Sequence, residues 1–270
     1  MEPLPHHKHS AVSSPKGGDF RSFQERIMQM ESRHGLFFIL ALAIVVVNWT
    51  FPAAVAQEEL SAETREVLSH MDHASKNLSD LTAHVTQTKV TVVVNDTSVE
   101  TGKLFHKRSK NSSKTKLEYD KPELKTLLID KGKVWIYEPR INRLQEFDLG
   151  NDHSQAEFFI TGVGQSGANL SKSYDVKLLN EEPINGIKTS VLELKPKSEK
   201  VSSMFSKIQL WIDRTRWVPI QTRLTETSGD YFTIQFDNIQ LNPHLSDKIF
   251  KLNVPPNVEK IKPLSSRSES

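Results

Sequence analysis

The pattern closest to a cofactor signature is Gly162, Gly164 and Gly167, a literal G-x-G-x-x-G followed at about the right distance by Glu181 and Glu182. In a dinucleotide site such glycines turn the chain tightly onto a pyrophosphate and open an amphipathic helix, and the acid binds a ribose hydroxyl. Here Ala168 to Ser173 is too short and too polar for that helix, so the stretch reads as a loop and no cofactor is expected. The sequence has no cysteine, which excludes a thiolate nucleophile, a disulfide framework and a Cys-based zinc site. His6, His7 and His9 sit beside Pro3, Pro5 and Pro15 in a polar stretch without periodicity, a composition that fits a disordered tail better than a metal site. No Ser-His-Asp arrangement, carboxylate pair or H-E-x-x-H spacing stands out, so neither a catalytic residue nor a metal is expected. The chain reads as a binding protein rather than an enzyme.

What could bind is suggested by the elements between Gly102 and Leu149. Lys114 to Tyr119 alternates Thr115, Leu117 and Tyr119 against Lys114, Lys116 and Glu118, and Asp120-Lys121-Pro122 ends the run, because proline cannot donate to a ladder. Leu124 to Ile129 follows, then Asp130-Lys131-Gly132-Lys133 with glycine where a tight hairpin needs positive φ, then Val134 to Tyr137. This is an antiparallel meander. Leu127-Leu128-Ile129 and Val134 to Tyr137 are apolar at successive positions, so both faces of the sheet must be shielded there, the second by a packed helix, a lid or a hydrophobic ligand.

The N-terminal residues 1–56 look like export machinery. Arg26 and Arg33 precede the uncharged run Leu36 to Val47, and Ala54-Val55-Ala56 supplies an A-x-A ending. The run is shorter than the roughly 20 residues of a membrane span. A cleavable signal with a long polar n-region, cut after Ala56, is therefore expected, leaving a domain over 57–270 outside the cytoplasm; the competing reading is an uncleaved anchor. A net charge of +2 across 270 residues, with no basic run interleaved with aromatics, argues against nucleic acid as partner.

One helix is expected after the signal, capped by Ser61, with Glu63 and Glu66 at its positive end and Val67, Leu68, Met71, Ala74 and Leu78 along one face. His70 and His73 read as solvated side positions. Beyond it, Leu81, Ala83 and Val85 lie on one parity and Val90, Val92 and Val94 on the other, which predicts a bulge or sharp bend near Gln87 to Lys89. After Leu149 the bulky Ala156, Phe158, Phe159 and Ile160 precede a Gly-, Ser- and Asn-rich stretch; Phe158 and Phe159 are candidates for a lid, with core packing the alternative. Strands then resume from Tyr174 to Phe236, a closing segment holds Phe250, Leu252 and Val254, and the last residues read as frayed. About ten or eleven antiparallel strands normally curl into a barrel or half-barrel.

Taken in order, Ala83-His84-Val85-Thr86-Gln87-Thr88, Gly102-Lys103-Leu104-Phe105-His106-Lys107-Arg108, Lys116 to Pro122 and Asp130 to Tyr137 resemble the periplasmic lipoprotein carrier (LolA) family. Phe236-Asp237-Asn238 through Phe250-Lys251-Leu252-Asn253-Val254-Pro255 is similar to its closing strands. The likeness runs from about Leu68 to Glu259. It implies a mainly β fold, an incomplete, strongly curved antiparallel barrel with an N-terminal helix and short lid helices over an apolar cavity. It also implies a monomeric periplasmic carrier that takes acylated lipoproteins, or other lipids, from an inner-membrane release complex to an outer-membrane receptor. Leaving a bare chain of about fifteen carbons in water would cost on the order of 12 kcal/mol at about 0.8 kcal/mol per CH₂, so a cavity is required. Candidates to line it are Val92, Leu104, Leu128, Trp135 and Ile136, although parity does not say which face looks inward. The family's gate arginine, in a K-R-P setting, matches Arg108, with Ser109 in place of the proline; a solvated basic face is the alternative. An envelope-stress sensor of the RseB kind has the same fold but normally a second domain, for which no room is expected after Val258. A lipid hydrolase would need a catalytic constellation.

Overall fold

The computed structural model describes residues 60–109, 112–148 and 165–261. Helix α1 spans Ala62–Lys76, and its start is set by Ser61, whose Oγ accepts the Thr64 N–H at 3.1 Å. The Glu63 carboxyl is held below its usual range by its own backbone N–H and by Ser61. Val67, Leu68 and Met71 are buried on the face that the spacing predicts. Leu78 falls beyond the helix end and packs against the sheet instead.

Twelve strands among the described residues form a single sheet. The first six, β1 (Asp80–Thr91), β2 (Asp96–Arg108), β3 (Ser113–Lys121), β4 (Lys125–Asp130), β5 (Lys133–Glu138) and β6 (Arg143–Asp148), make the expected meander. Helix α2 (Gly167–Ser173) leads into a second meander of β7 (Tyr174–Ile184), β8 (Ile187–Pro196), β9 (Phe205–Asp213), β10 (Pro219–Glu226) and β11 (Tyr231–Leu241), with a short α3 (Glu199–Ser202) before β9. A 3-10 turn at Asp247–Phe250 and β12 (Glu259–Ile261) follow. The strand order is β12-β6-β5-β4-β3-β2-β1-β11-β10-β9-β8-β7. The two meanders are thus joined where β1 pairs with β11, and among the described residues β7 and β12 stand as the edges of an incomplete barrel. All pairings are antiparallel except β12 with β6. The predicted fold class is found, with β12 as a strand in a region that composition alone assigned to frayed chain. Lys131-Gly132 and Asn185-Gly186, each pair at positive φ, close the β4–β5 and β7–β8 hairpins, because such turns match the twist of the flanking strands.

The expected bulge near Gln87 to Lys89 is not there. β1 pairs with β2 without interruption from Asp80 to Thr91, and the irregularity lies opposite Ala83, where β11 carries Asn238 at φ 52°. Parity is therefore kept: Leu81, Ala83, Val85, Gln87 and Lys89 all point inward and are all buried. Val92, Val93 and Val94 occupy the β1–β2 turn, 53%, 86% and 68% exposed. Apolar periodicity misled here because valines in an exposed hairpin tip outnumbered two inward polar residues.

The interior divides at β11. Phe232 belongs to the cluster under α1, with Leu68, Met71, Leu170, Leu210 and Leu224, whereas Ile234 and Phe236 join Leu104, Leu117, Leu127 and Ile136 of the first meander. The outer face of the first meander is covered in part by the chain after β11. The Lys107 ammonium donates to Leu245 O at 2.8 Å, the Lys116 ammonium donates to Ile249 O at 2.9 Å, and Phe250 is buried. The cover seen there is a segment of irregular chain with one 3-10 turn, rather than the expected packed helix, lid or hydrophobic ligand.

Candidate functional site

A surface able to hold an apolar ligand must be concave, continuous and covered by something that moves. The inner face of β1 to β6 and β11 supplies the surface. Direct cross-strand partners share a face, so Leu104 opposite Leu117, Leu117 opposite Leu127 and Leu127 opposite Ile136 form one row running across four strands. Each member of the row is at most 3% exposed.

The sequence-predicted lining residues separate on this geometry. Leu104 and Ile136 lie in the inner row. Leu128 and Trp135 are partners of each other one residue away, hence on the outer face, where the Trp135 ring N–H donates to Glu146 at 3.2 Å. Val92 is corrected outright, since it stands in the exposed turn. Phe158 and Phe159 lie outside the described residues.

Helix α1 covers the neighbouring part of the inner face and is fastened at several points. Thr64 Oγ1 accepts the N–H of Leu178 in β7 at 3.2 Å, and Asp72 Oδ1 accepts the N–H of Ala168 in α2 at 2.9 Å. Gly167 lets α2 touch α1, for a Cβ built there would collide with the Leu68 carbonyl. The last glycine of the G-x-G-x-x-G thus has a packing role, and although a short helix does form after it, that helix feeds an antiparallel strand. His70, read as solvated, stacks on Trp217 with ring centroids 4.2 Å apart.

Arg108 ends β2, and its guanidinium donates to Ser75 O at 2.6 Å in the last turn of α1. Its own N–H donates to Ser79 O at 2.7 Å. The contact places a cation at the negative end of the helix dipole, on a carbonyl that also accepts the Leu78 N–H at 3.3 Å. The gate candidate therefore ties the sheet to α1. Beneath it, Met71, Leu81, His106, Arg108 and Trp217 line a pocket of about 40 Å³, too small for an acyl chain. His106 is buried with Nδ1 2.8 Å from Thr115 Oγ1.

The inward polar residues were missed by the sequence reading. Tyr119 is buried, its hydroxyl donates to Gln87 Oε1 at 2.7 Å, and burial first and the Glu100 charge second push its pKa well above the usual phenol value. The Lys125 ammonium lies 4.3 Å from the Tyr119 ring and 2.7 Å from Glu100; burial lowers its pKa, while the Glu100 carboxylate opposes that shift. The Lys89 ammonium sits 5.4 Å from the Phe232 ring centroid. One signal was available: Gln87 and Lys89 continue the parity of Leu81, Ala83 and Val85.

The description of the outer membrane lipoprotein carrier protein LolA matches residues 76–253 of the chain. The chain belongs to the LolA family. Among curated proteins no sequence matches it significantly. Solved structures similar to this LolA-family chain include that of the Pseudomonas aeruginosa MucA/MucB complex, at 15% identity and a TM-score of 0.45, covering 71% of this chain and 62% of that one, less than two thirds of its length. A conserved protein of Thermus thermophilus is similar at 13% identity and a TM-score of 0.48 (74% and 99% covered). The Mycobacterium tuberculosis lipoprotein LppX is similar at 13% identity and a TM-score of 0.41 (68% and 97% covered). No helix among the described residues is long and apolar enough to cross a membrane.

Proposed function

We propose that the protein is a periplasmic carrier that holds the acyl chains of lipoproteins, or of another lipid, against the inner face of its open barrel and conveys them toward the outer membrane. The observation that carries this reading is the apolar row Leu104, Leu117, Leu127 and Ile136, which crosses four strands of a sheet whose described edges are not joined. Burying a chain of about fifteen methylenes there offsets on the order of 12 kcal/mol of unfavourable hydration. Displacing α1, held to the sheet by side-chain contacts, would lengthen this surface through Phe232 and Leu224. The reading includes export with cleavage after Ala56, so that protein from a periplasmic fraction begins at Gln57.

The role is binding rather than catalysis. This reading rests on the apolar row rather than on the polar groups of the inner face, which include an amide, a phenol, ammonium and guanidinium groups and the Thr115 hydroxyl 2.8 Å from His106 Nδ1. The test is mass spectrometry of organic extracts from the exported protein, together with titration by a fluorescent fatty acyl probe. Co-purifying acyl lipid or lipoprotein and saturable probe binding are expected. Folded protein that binds no apolar probe would remove the carrier reading.

A further inference from the structure

The inner face is not apolar along its whole length. Toward the ends of the strands at the β1–β2 and β3–β4 turns it carries a polar belt, each member following from register. Gln87 is directly opposite Glu100, and Tyr119 is opposite Lys125. Lys125 reaches Glu100 at 2.7 Å, which joins the two pairs. Glu138, two residues from inward Ile136, pairs with Arg143 at 3.0 Å, and Gln145 is opposite Ile136. The belt therefore crosses β1 to β6, and the leucine row lies directly beside it.

Two atoms in this belt lack hydrogen-bond partners while fully enclosed: Gln87 Nε2, a donor, and Gln145 Oε1, an acceptor. Their residues are 2% and 3% exposed. Buried amides are almost always satisfied, so such atoms point to a polar group that a ligand brings. The donor end of the belt is also where its innermost cation stands. Lys89 is two residues along β1 from Gln87, on the same face, and is 6% exposed. The Tyr119 hydroxyl, already bonded to Gln87 Oε1, holds the amide so that its Nε2 faces away from that bond. Access is graded, because the Arg143 and Glu138 side chains are 17% and 23% exposed while Gln87, Tyr119 and Lys89 are buried.

We infer that Lys89, Gln87 and Tyr119 form a headgroup site, which takes the anionic head of an acyl amphiphile, a carboxylate or phosphodiester, while its chain lies along Leu104, Leu117 and Leu127. This rests on the lipid-binding reading and adds to it a ligand class: amphiphiles carrying one negative charge, in preference to neutral lipids of equal chain length. A charged acceptor suits this donor set, since an ammonium and an amide N–H both strengthen when they donate to an anion. The same chemistry could come from a free anion, so the experiment separates the two sources.

The exported protein is titrated with palmitate, lysophosphatidylglycerol, hexadecanol and the methyl ester of palmitate, with acetate and inorganic phosphate as chainless anions. Tighter binding of the two anionic amphiphiles than of the neutral ones by about tenfold or more is expected, a difference worth one charged hydrogen bond. Acetate and phosphate should neither bind nor compete at millimolar concentration. Lys89→Met should abolish the preference while leaving hexadecanol binding within about twofold, and Lys89→Arg should retain it. Equal affinity for anionic and neutral chains in the wild-type protein would overturn the headgroup site while sparing the carrier reading, and needs no variant to fold. Competition by chainless phosphate would also overturn it, as would a preference that survives in Lys89→Met. If none of the four amphiphiles binds, the lipid-binding reading falls and the headgroup site falls with it.

Discussion

Replacing Arg108 with Leu removes a charged hydrogen bond of 2.6 Å to Ser75 O while leaving the backbone bond from Arg108 N to Ser79 O in place. Hydrogen bonds to charged groups are worth about 1.5–3 kcal/mol when buried, and a cation at a helix C-terminus about 0.3–1 kcal/mol. Arg108 is exposed, so solvent screening favours the low end, roughly 1 kcal/mol. If α1 closes the cavity, that loss raises the population of the open state about fivefold. Hydrogen exchange of the amides in the last two turns of α1 reads this directly, with about fivefold faster exchange expected there and unchanged rates in β9 and β10. Loading with an acyl probe should become faster, and transfer to an acceptor membrane slower, because the empty closed state that drives release is weakened. Arg108→Lys should fall between, since an ammonium keeps the charge but not the planar fork. Exchange in α1 within twofold of wild type, or transfer at the wild-type rate, would refute the latch and leave Arg108 as a surface charge.

Other substitutions test the packing. Gly167→Ala should destabilise the protein by about 1–3 kcal/mol in urea unfolding, the usual cost of overpacking, because the new methyl meets Leu68 backbone atoms, which cannot swing aside. Leu104→Ala, at a fully buried position, should cost about 2–5 kcal/mol, whereas Val92→Ser in the exposed turn should stay within about 0.5 kcal/mol and leave acyl-probe binding unchanged. Burial is the largest influence on Asp213 and raises its pKa, but the N–H groups of Thr215 and Arg216 and the Arg216 guanidinium together outweigh it and hold the carboxyl below its usual value. A depressed carboxylate stabilises the fold above its unfolded pKa and loses that contribution as pH falls through the folded one. The wild-type protein should therefore lose stability below about pH 4, and Asp213→Asn, less stable at pH 7, should show a shallower loss over the same range in thermal melts.

Much of this architecture was legible as sequence, and the reason is local. The Lys131-Gly132 and Asn185-Gly186 turns, the alternation of Thr115, Leu117 and Tyr119, and the Ser61 cap each depend on a few adjacent residues, so an antiparallel, mainly β chain with one leading helix follows from them. The order of motifs did the same for the family. Tertiary structure alone decided which face was inside. Leu127 and Leu128 are equally apolar, but only the pairing of Leu127 with Leu117 and Ile136 assigns it to the concave surface, since a strand's two faces are equivalent until a neighbour curves it. Gln87 and Lys89 are polar in any window, and they became interior residues because β1 keeps its register with β2 to the hairpin tip. The partner of Arg108 was likewise out of reach of sequence. Ser75 lies 33 positions earlier, and only the return of β2 alongside β1 brings that carbonyl to the guanidinium.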